Sequence, residues 1–288
     1  MSFLTINHLS AHIGKRPVLR DVSLSVQTGE VCGLVGESGA GKSMIGKAVL
    51  GTLPTAIVAT HGEIILDGDN LQSLTAKQRR QVIGAKTALI PQDPLTALNP
   101  SRRVGAQITN RLVDILGWSK STARHRALDL LGEVQIDDPE RVMLCYPHEL
   151  SGGMRQRVLI AAAFAAEPRL IIADEPTTAL DVTVQKQILR LIKEMQTRYG
   201  TALLFVTHDL GVVAKICQRL LVLYEGMVLE QTSVQDFFSG PQHPYARALL
   251  ETTPIYTDPT GSLTPIPPQT LDAVRAQVAA YDRAQNHV

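Results

Sequence analysis

Aromatic side chains are scarce in this chain, at 4% of its 288 residues with a single tryptophan. That scarcity argues against a binding module built on stacked rings. With Ala, Leu, Ile and Val plentiful, it suits an α/β protein whose parallel sheet is buried on both faces. Cysteine is just as sparse. Cys32, Cys145 and Cys217 are odd in number and far apart, so they supply neither a disulfide framework nor metal-ligand spacing. They read as buried thiols in a reducing cytosol. Charge of one sign is not in excess: the formal net charge is +1, which gives no reason to expect nucleic acid as a partner. Long apolar runs are missing too. The longest, Val158 to Ala166, is about half a membrane span, and Met1–Thr5 leads straight into strand-like alternation rather than a signal peptide. The expectation is a chain that does not itself cross a membrane, any membrane role passing through a partner. Internal repeats and low-complexity tracts are absent as well.

What is present begins with Gly36-Glu37-Ser38-Gly39-Ala40-Gly41-Lys42-Ser43, the phosphate-binding pattern G-x-x-x-x-G-K-S. A glycine-rich turn alone need bind nothing. Here the apolar, β-rich Val31–Val35 precedes it and a helical run from Met44 to Leu50 follows, which is the strand–loop–helix context the motif requires. Glycines let successive N–H groups face the phosphates, and the helix start near Lys42 adds its partial positive charge. Lys42 would reach the β- and γ-phosphates, and the Ser43 hydroxyl would ligate Mg²⁺.

Along the chain, residues 3–9 and 22–26 predict strands, with another at 62–66 running into the tight turn Asp67-Gly68. A short polar helix is expected over 75–83 and a strand over 87–90, ending at Pro91-Gln92-Asp93-Pro94. From about 95 to 150 only helical patterns occur (104–116 and 122–134), so this stretch reads as a helical insertion. The α/β rhythm returns at Ser151: a helix to about Ala166, a strand over 170–173, and a helix over 182–198. That last helix shows Val184, Ile188, Leu191, Ile192 and Met195 on one face. A buried strand is expected over 203–206, ending at Thr207-His208-Asp209, and two more flank the turn Glu225-Gly226. The Pro-, Thr- and Gln-rich tail beyond Thr253, with one helical patch over 271–280, reads as a partly ordered extension. The division expected is therefore 1–250 with its insertion, then 251–288.

A phosphate loop needs a second site for metal and water. Leu170–Ala173 is an apolar strand that ends in two carboxylates, Asp174 and Glu175. Asp174 would hold Mg²⁺ through its water shell, and Glu175 would orient or deprotonate the attacking water. Gln92, just past another strand, could contact Mg²⁺ or that water, and His208 could donate to the γ-phosphate. Both stand at strand C-terminal ends, the edge where open α/β sheets bind ligands. The segment Leu150-Ser151-Gly152-Gly153-Met154-Arg155-Gln156 adds a hydroxyl and two glycines opening a helix, a second anion site. One triphosphate does not need two such sites in one chain. A dimer whose subunits close over each other's nucleotide would.

L-S-G-G-M-R-Q at this place resembles the signature motif of ABC-type ATPases. It lies upstream of a D-E-P Walker B end, a D-loop at Thr178-Ala179-Leu180-Asp181, a Q-loop at Gln92 and an H-loop at His208. The resemblance covers residues 3 to about 250. It implies a P-loop NTPase fold of ABC type: a mainly parallel core sheet, an N-terminal antiparallel β subdomain and a helical subdomain. It also implies a head-to-tail dimer holding two ATPs with Mg²⁺. Each would lie between Gly36–Ser43 of one subunit and Ser151, Gly152 and Gly153 of the other, with Glu175 catalytic, His208 on the γ-phosphate and Asp181 coupling the two sites.

Three further stretches resemble the ATPases of oligopeptide, dipeptide and nickel importers: Pro91–Pro94 with Leu98-Asn99-Pro100, Tyr146–Glu149, and Pro241–Leu250. The resemblance implies a second, homologous or identical ATPase, two permeases docked on the helical insertion and Q-loop, and an extracytoplasmic substrate-binding protein. It places the chain peripherally, at the cytoplasmic face of a bacterial inner membrane. Two departures stand out. Many such subunits carry a cysteine cluster for an iron–sulfur centre after the H-P-Y segment. Here Thr264–Pro268 resembles the lead-in but no cysteine follows, so no cluster is expected. The usual adenine-stacking aromatic of the first hairpin is also missing from Ala11–Arg16, where His12 or Arg16 could stack instead; weak base discrimination is expected. The competing expectation is a soluble accessory ABC ATPase of the phosphonate-degradation type. DNA-repair and translation ATPases of this type are disfavoured by the single cassette and low net charge, and an exporter by the lack of fused membrane helices.

Overall fold

The computed structural model describes residues 2–178, 180–252 and 265–285. Two long strands open the chain, β1 (Ser2–Ile13) and β2 (Arg16–Gln27), followed by β3 (Val31–Val35) and α1 (Lys42–Val49). Next come β4 (Ile57–Leu66), β5 (Asp69–Asn70), α2 (Ala76–Lys86) and β6 (Thr87–Ile90). The stretch that follows is helical: α3 (Pro94–Ala97), α4 (Val104–Asp114), α5 (Lys120–Glu133), α6 (Pro139–Leu144) and a 3₁₀ turn at Pro147–Glu149. Then come α7 (Gly152–Phe164), β7 (Leu170–Asp174), α8 (Val182–Tyr199), β8 (Ala202–Val206) and α9 (Leu210–Ile216). β9 (Arg219–Tyr224), β10 (Met227–Ser233), α10 (Val234–Ser239), α11 (Pro244–Glu251) and α12 (Pro268–Gln285) complete the order.

The described residues fall into two compact units, one within 1–5, 25–30 and 64–205, the other within 6–24, 31–63 and 206–288. In the first, β8, β7 and β6 lie side by side, and β6 runs parallel to β7 in the register Thr87↔Leu170 to Ile90↔Ala173. The strands read as continuous apolar runs because both faces are covered, as parallel strands require. Helices α4 and α5 bury one stripe each, for example Ile108 and Leu112, Ala127 and Leu131, at the spacing of a single helix face, whereas α7 is buried on nearly every side from Val158 onward. On α8, Ile188, Leu191, Ile192 and Met195 are buried as the periodicity predicts, while Val184 is half-buried.

In the second unit β9 lies between β3 and β10. It runs parallel to β3 (Cys32↔Arg219 to Val35↔Val222) and antiparallel to β10, with a register shift between Val228 and Glu230. One core cluster here joins Val35, Val213, Leu220, Val222, Tyr224, Phe237 and Tyr245 with Val274 and Val278 of α12. The hairpin strands extend beyond the expected 3–9 and 22–26, because polar side chains on them are absorbed in cross-strand bonds such as Asp21 N–H to Ser10 Oγ. The short helices α10 and α11 carry no periodic signal of their own. Ser233 and His243 cap them, and Phe237 and Tyr245 anchor them in the core. Among the described residues, no helix is long and apolar enough to cross a membrane.

Candidate active site

In the second unit the strand β3 is buried throughout and delivers the chain to Gly36. A side chain is impossible there: φ is 148°, and a Cβ would lie 2.2 Å from the Leu223 carbonyl oxygen. Glu37, Ser38 and Gly39 then stand exposed while Ala40 turns inward. Gly41, in the left-handed conformation, begins α1, and no side chain caps that helix. Lys42 is nearly buried, and its Nζ donates to the carbonyls of Gly36 and Glu37, 2.8 Å each. The loop thus curls around its own ammonium. The donor set is an uncapped helix start, exposed loop backbone and a cation held by two neutral carbonyls. It fits a bound polyphosphate, whose oxygens can replace those carbonyls with charge-assisted contacts. Ser43 sits half-buried in the first turn of α1. In the same unit, Thr207 N–H donates to the Leu34 carbonyl (3.1 Å), which sets the exposed His208 just past the end of β3's neighbouring backbone.

The first unit assembles a carboxylate site. Because Ile90 is in register with Ala173, the chain two residues on brings Gln92 to Glu175. The Gln92 amide donates to Glu175 Oε2 at 3.2 Å, and the Thr178 hydroxyl donates to the same oxygen at 2.9 Å. Glu175 is left-handed, with φ 47°, a conformation that costs a glutamate about 1 kcal/mol or more and clusters at functional sites. Asp174, the last residue of β7, is half-buried beside it.

Ser151 caps α7, its Oγ accepting from Met154 N–H at 3.3 Å. Its own O–H, like Gly152, is on the surface. Asp181 caps α8 by accepting from Thr183 and Val184 N–H at 3.0 and 2.9 Å, and a Cβ on Gly153 would touch Val184. The signature and the D-loop therefore share one surface. Of the D-loop, Ala179 lies outside the described residues. Two residues named in the sequence only as motif members acquire specific contacts. Gln156, 1% exposed, donates from Nε2 to the Pro176 carbonyl at 2.8 Å and ties the signature helix to the exit of β7. Thr178, the first residue of the D-loop, orients Glu175. The signature and D-loop patterns mark both positions, but neither pattern shows these partners.

Comparison with known proteins decides the family. The profile described as ABC transporter matches residues 19–178, more than half of the chain. The chain belongs to the ABC transporter family. It is an ATP-binding, ATP-hydrolysing member of the α/β type expected. A second profile, described as AAA domain, putative AbiEii toxin, Type IV TA system, matches residues 144–214. The chain is 50% identical over 257 residues to a probable peptide ABC transporter ATP-binding protein, y4tR, of Sinorhizobium fredii, covering 87% of this chain and 76% of that one. It is 45% identical over 274 residues to the dipeptide transport ATP-binding protein DppD of Escherichia coli (93% and 83%). It is 46% identical over 242 residues to the oligopeptide transport ATP-binding protein OppD of Bacillus subtilis (84% and 68%). Among solved structures, it resembles the ATP-binding cassette MJ0796 in a dimeric post-hydrolysis state bound to ADP and Pi, with TM-score 0.70, 28% identity and coverage of 80% and 98%. It also resembles cbiO1 of Clostridium perfringens, with TM-score 0.72, 26% identity and coverage of 83% and 91%.

The first hairpin carries no aromatic at its tip. His12 is held by its Nδ1 against Thr60 Oγ1 at 3.0 Å and lines a cavity of about 310 Å³ with His8, His61 and Tyr281. Arg16 and Ile13 are exposed at the hairpin end. Thr264, in the stretch resembling an iron–sulfur lead-in, lies outside the described residues.

Proposed function

We propose that this chain is the ATP-hydrolysing subunit of a peptide importer. It works as a head-to-tail pair with an identical or homologous ATPase, at the cytoplasmic face of a bacterial inner membrane. The observation that carries the cargo class is the naming of its relatives for peptide, dipeptide and oligopeptide transport, at 45–50% identity over most of the chain. The same names weigh against a soluble accessory ATPase.

The residues divide the work by chemistry. Gly36–Ser43 hold the nucleotide's phosphates, Lys42 exchanging its two carbonyl contacts for phosphate oxygens. Ser43, Asp174 and Gln92 would hold Mg²⁺, which would supply positive charge to the phosphates. Glu175, oriented by Gln92 and Thr178, positions the attacking water and takes its proton. His208 donates to the γ-phosphate. Ser151, Gly152 and Gly153 of the second subunit supply the closing anion site, and Asp181 couples the two. Catalysis is positioning plus electrostatic stabilisation, complete only when both subunits contribute.

The helical stretch exposes Leu95 and Leu144, 63% and 60% accessible. We assign these apolar side chains, next to the Gln92 loop and at the end of α6, to contact with two permease subunits. An extracytoplasmic binding protein delivers cargo to those permeases. Deleting the gene in its host tests the reading. Uptake of labelled di- and oligopeptides should fall and return with the intact chain but not with Glu175→Gln. Unchanged peptide uptake, with loss of nickel uptake instead, would overturn the peptide assignment and keep the importer.

A further inference from the structure

The phosphate loop is braced from behind by the β9–β10 hairpin, and that hairpin is gripped by Arg20 and Asp282, a pair outside the loop that borders the His12 cavity. At one end of the loop, Gly36 packs so closely on Leu223 that a Cβ would sit 2.2 Å from its carbonyl oxygen. At the other, Gly226 N–H donates to the Ala40 carbonyl at 2.8 Å. The hairpin turn is Glu225-Gly226, both left-handed at φ 43° and 78°. On the far side of the turn stands β2. Arg20 N–H donates to the Gly226 carbonyl at 2.8 Å, and a Cβ on Gly226 would come within 2.1 Å of the Val18 carbonyl oxygen. The Arg20 guanidinium donates from Nη1 to the Glu225 carbonyl.

Arg20 is only 8% exposed, and its other donors face one carboxylate: Nε and Nη2 reach Asp282 Oδ1 and Oδ2 at 2.8 and 2.9 Å. This two-pronged fork fixes orientation as well as charge. Asp282 belongs to α12, which Val274 and Val278 seat in the core beside Tyr224 and Tyr245; the three residues step along one face four apart. Burial, with Glu37 and Tyr224 nearby, pushes the Tyr245 phenol above its ordinary range.

We infer that Arg20 and Asp282 are a positioning pair for the phosphate loop, through which the C-terminal helix sets nucleotide affinity without touching nucleotide. A guanidinium this buried tolerates its site only while neutralised. Without Asp282 it turns toward water and withdraws its bond from the Glu225 carbonyl. The turn then loosens, and with it the Ala40 contact that shapes the loop. The inference rests on Gly36–Ser43 being the nucleotide site.

The test uses the full chain with Asp282→Asn and Arg20→Lys, the second keeping charge but losing the fork. Both should weaken MgATP affinity about fivefold, raising KM while kcat holds. In the nucleotide-free protein both should speed amide exchange over 36–41, and in the wild type ATP should slow exchange over α12, as reciprocity requires. The inference is overturned if Asp282→Asn speeds exchange over α12 yet leaves exchange over 36–41 and ATP affinity as they were. Because exchange over 36–41 is read without nucleotide, it judges the pair even if Lys42→Ala showed that ATP binds elsewhere.

Discussion

At the scale of single residues, several side chains have neighbours that leave them one role. Gly36 is the sharpest case. Any side chain collides with the Leu223 carbonyl, so Gly36→Ala should cost roughly 3 kcal/mol or more of stability and abolish ATP binding, measurable by chemical denaturation and nucleotide titration. Glu175 is the opposite case, a residue held in a costly conformation with two donors on one oxygen. Thr178→Val should therefore leave ATP affinity near wild type and lower kcat, about tenfold if Thr178 chiefly orients the carboxylate. An unchanged kcat would reduce Thr178 to a turn residue. Cys217 carries a pH prediction. Burial, with Cys32 adding a smaller effect, pushes its thiol up from the ordinary value of 9.0. The unfolded chain then releases this proton at lower pH than the folded one. Its stabilising contribution is complete below pH 9 and declines as pH rises above it. Denaturation midpoints should fall over that range, and Cys217→Ser should flatten the fall.

At the scale of elements, strands and caps do the positioning. The parallel register of β6 on β7 is what brings Gln92 to Glu175 from 83 residues away. Gln156 joins α7 to the segment after β7, so Gln156→Ala should cost about 1 kcal/mol and slow turnover more than it weakens binding. Much of this level was legible in advance. Apolar strands ending in Gln92, Asp174 and His208, and helix starts at Lys42 and Ser151, follow from periodicity and motif spacing. Two features were not legible. Helices α10 and α11 are too short for a periodic signal and form because Phe237 and Tyr245 find a core made elsewhere in the chain. The fork between Arg20 and Asp282 joins residues 262 apart in sequence, a pairing that only the folded chain reveals. The missing hairpin aromatic was legible, and its consequence is testable. With His12 engaged by Thr60 and no ring at the hairpin tip, ATP and GTP should be hydrolysed at similar rates; a large preference for ATP would argue against this.

At the scale of the whole molecule, the phosphate loop offers exposed backbone at Glu37–Gly39 and the signature offers a helix start capped by the exposed Ser151. The family relationship and the likeness to a cassette solved as a dimer support the proposal that a second subunit brings these two anion sites onto one nucleotide. The most direct measurement is sedimentation of the Glu175→Gln chain, with its partner ATPase where the pair is mixed, in MgATP and in MgADP. A stable pair should form with ATP and monomers remain with ADP, ATP affinity being retained and turnover lost. Ser151→Arg should prevent the pair. Undiminished turnover in Glu175→Gln, or subunits that stay apart with ATP bound, would contradict the proposal.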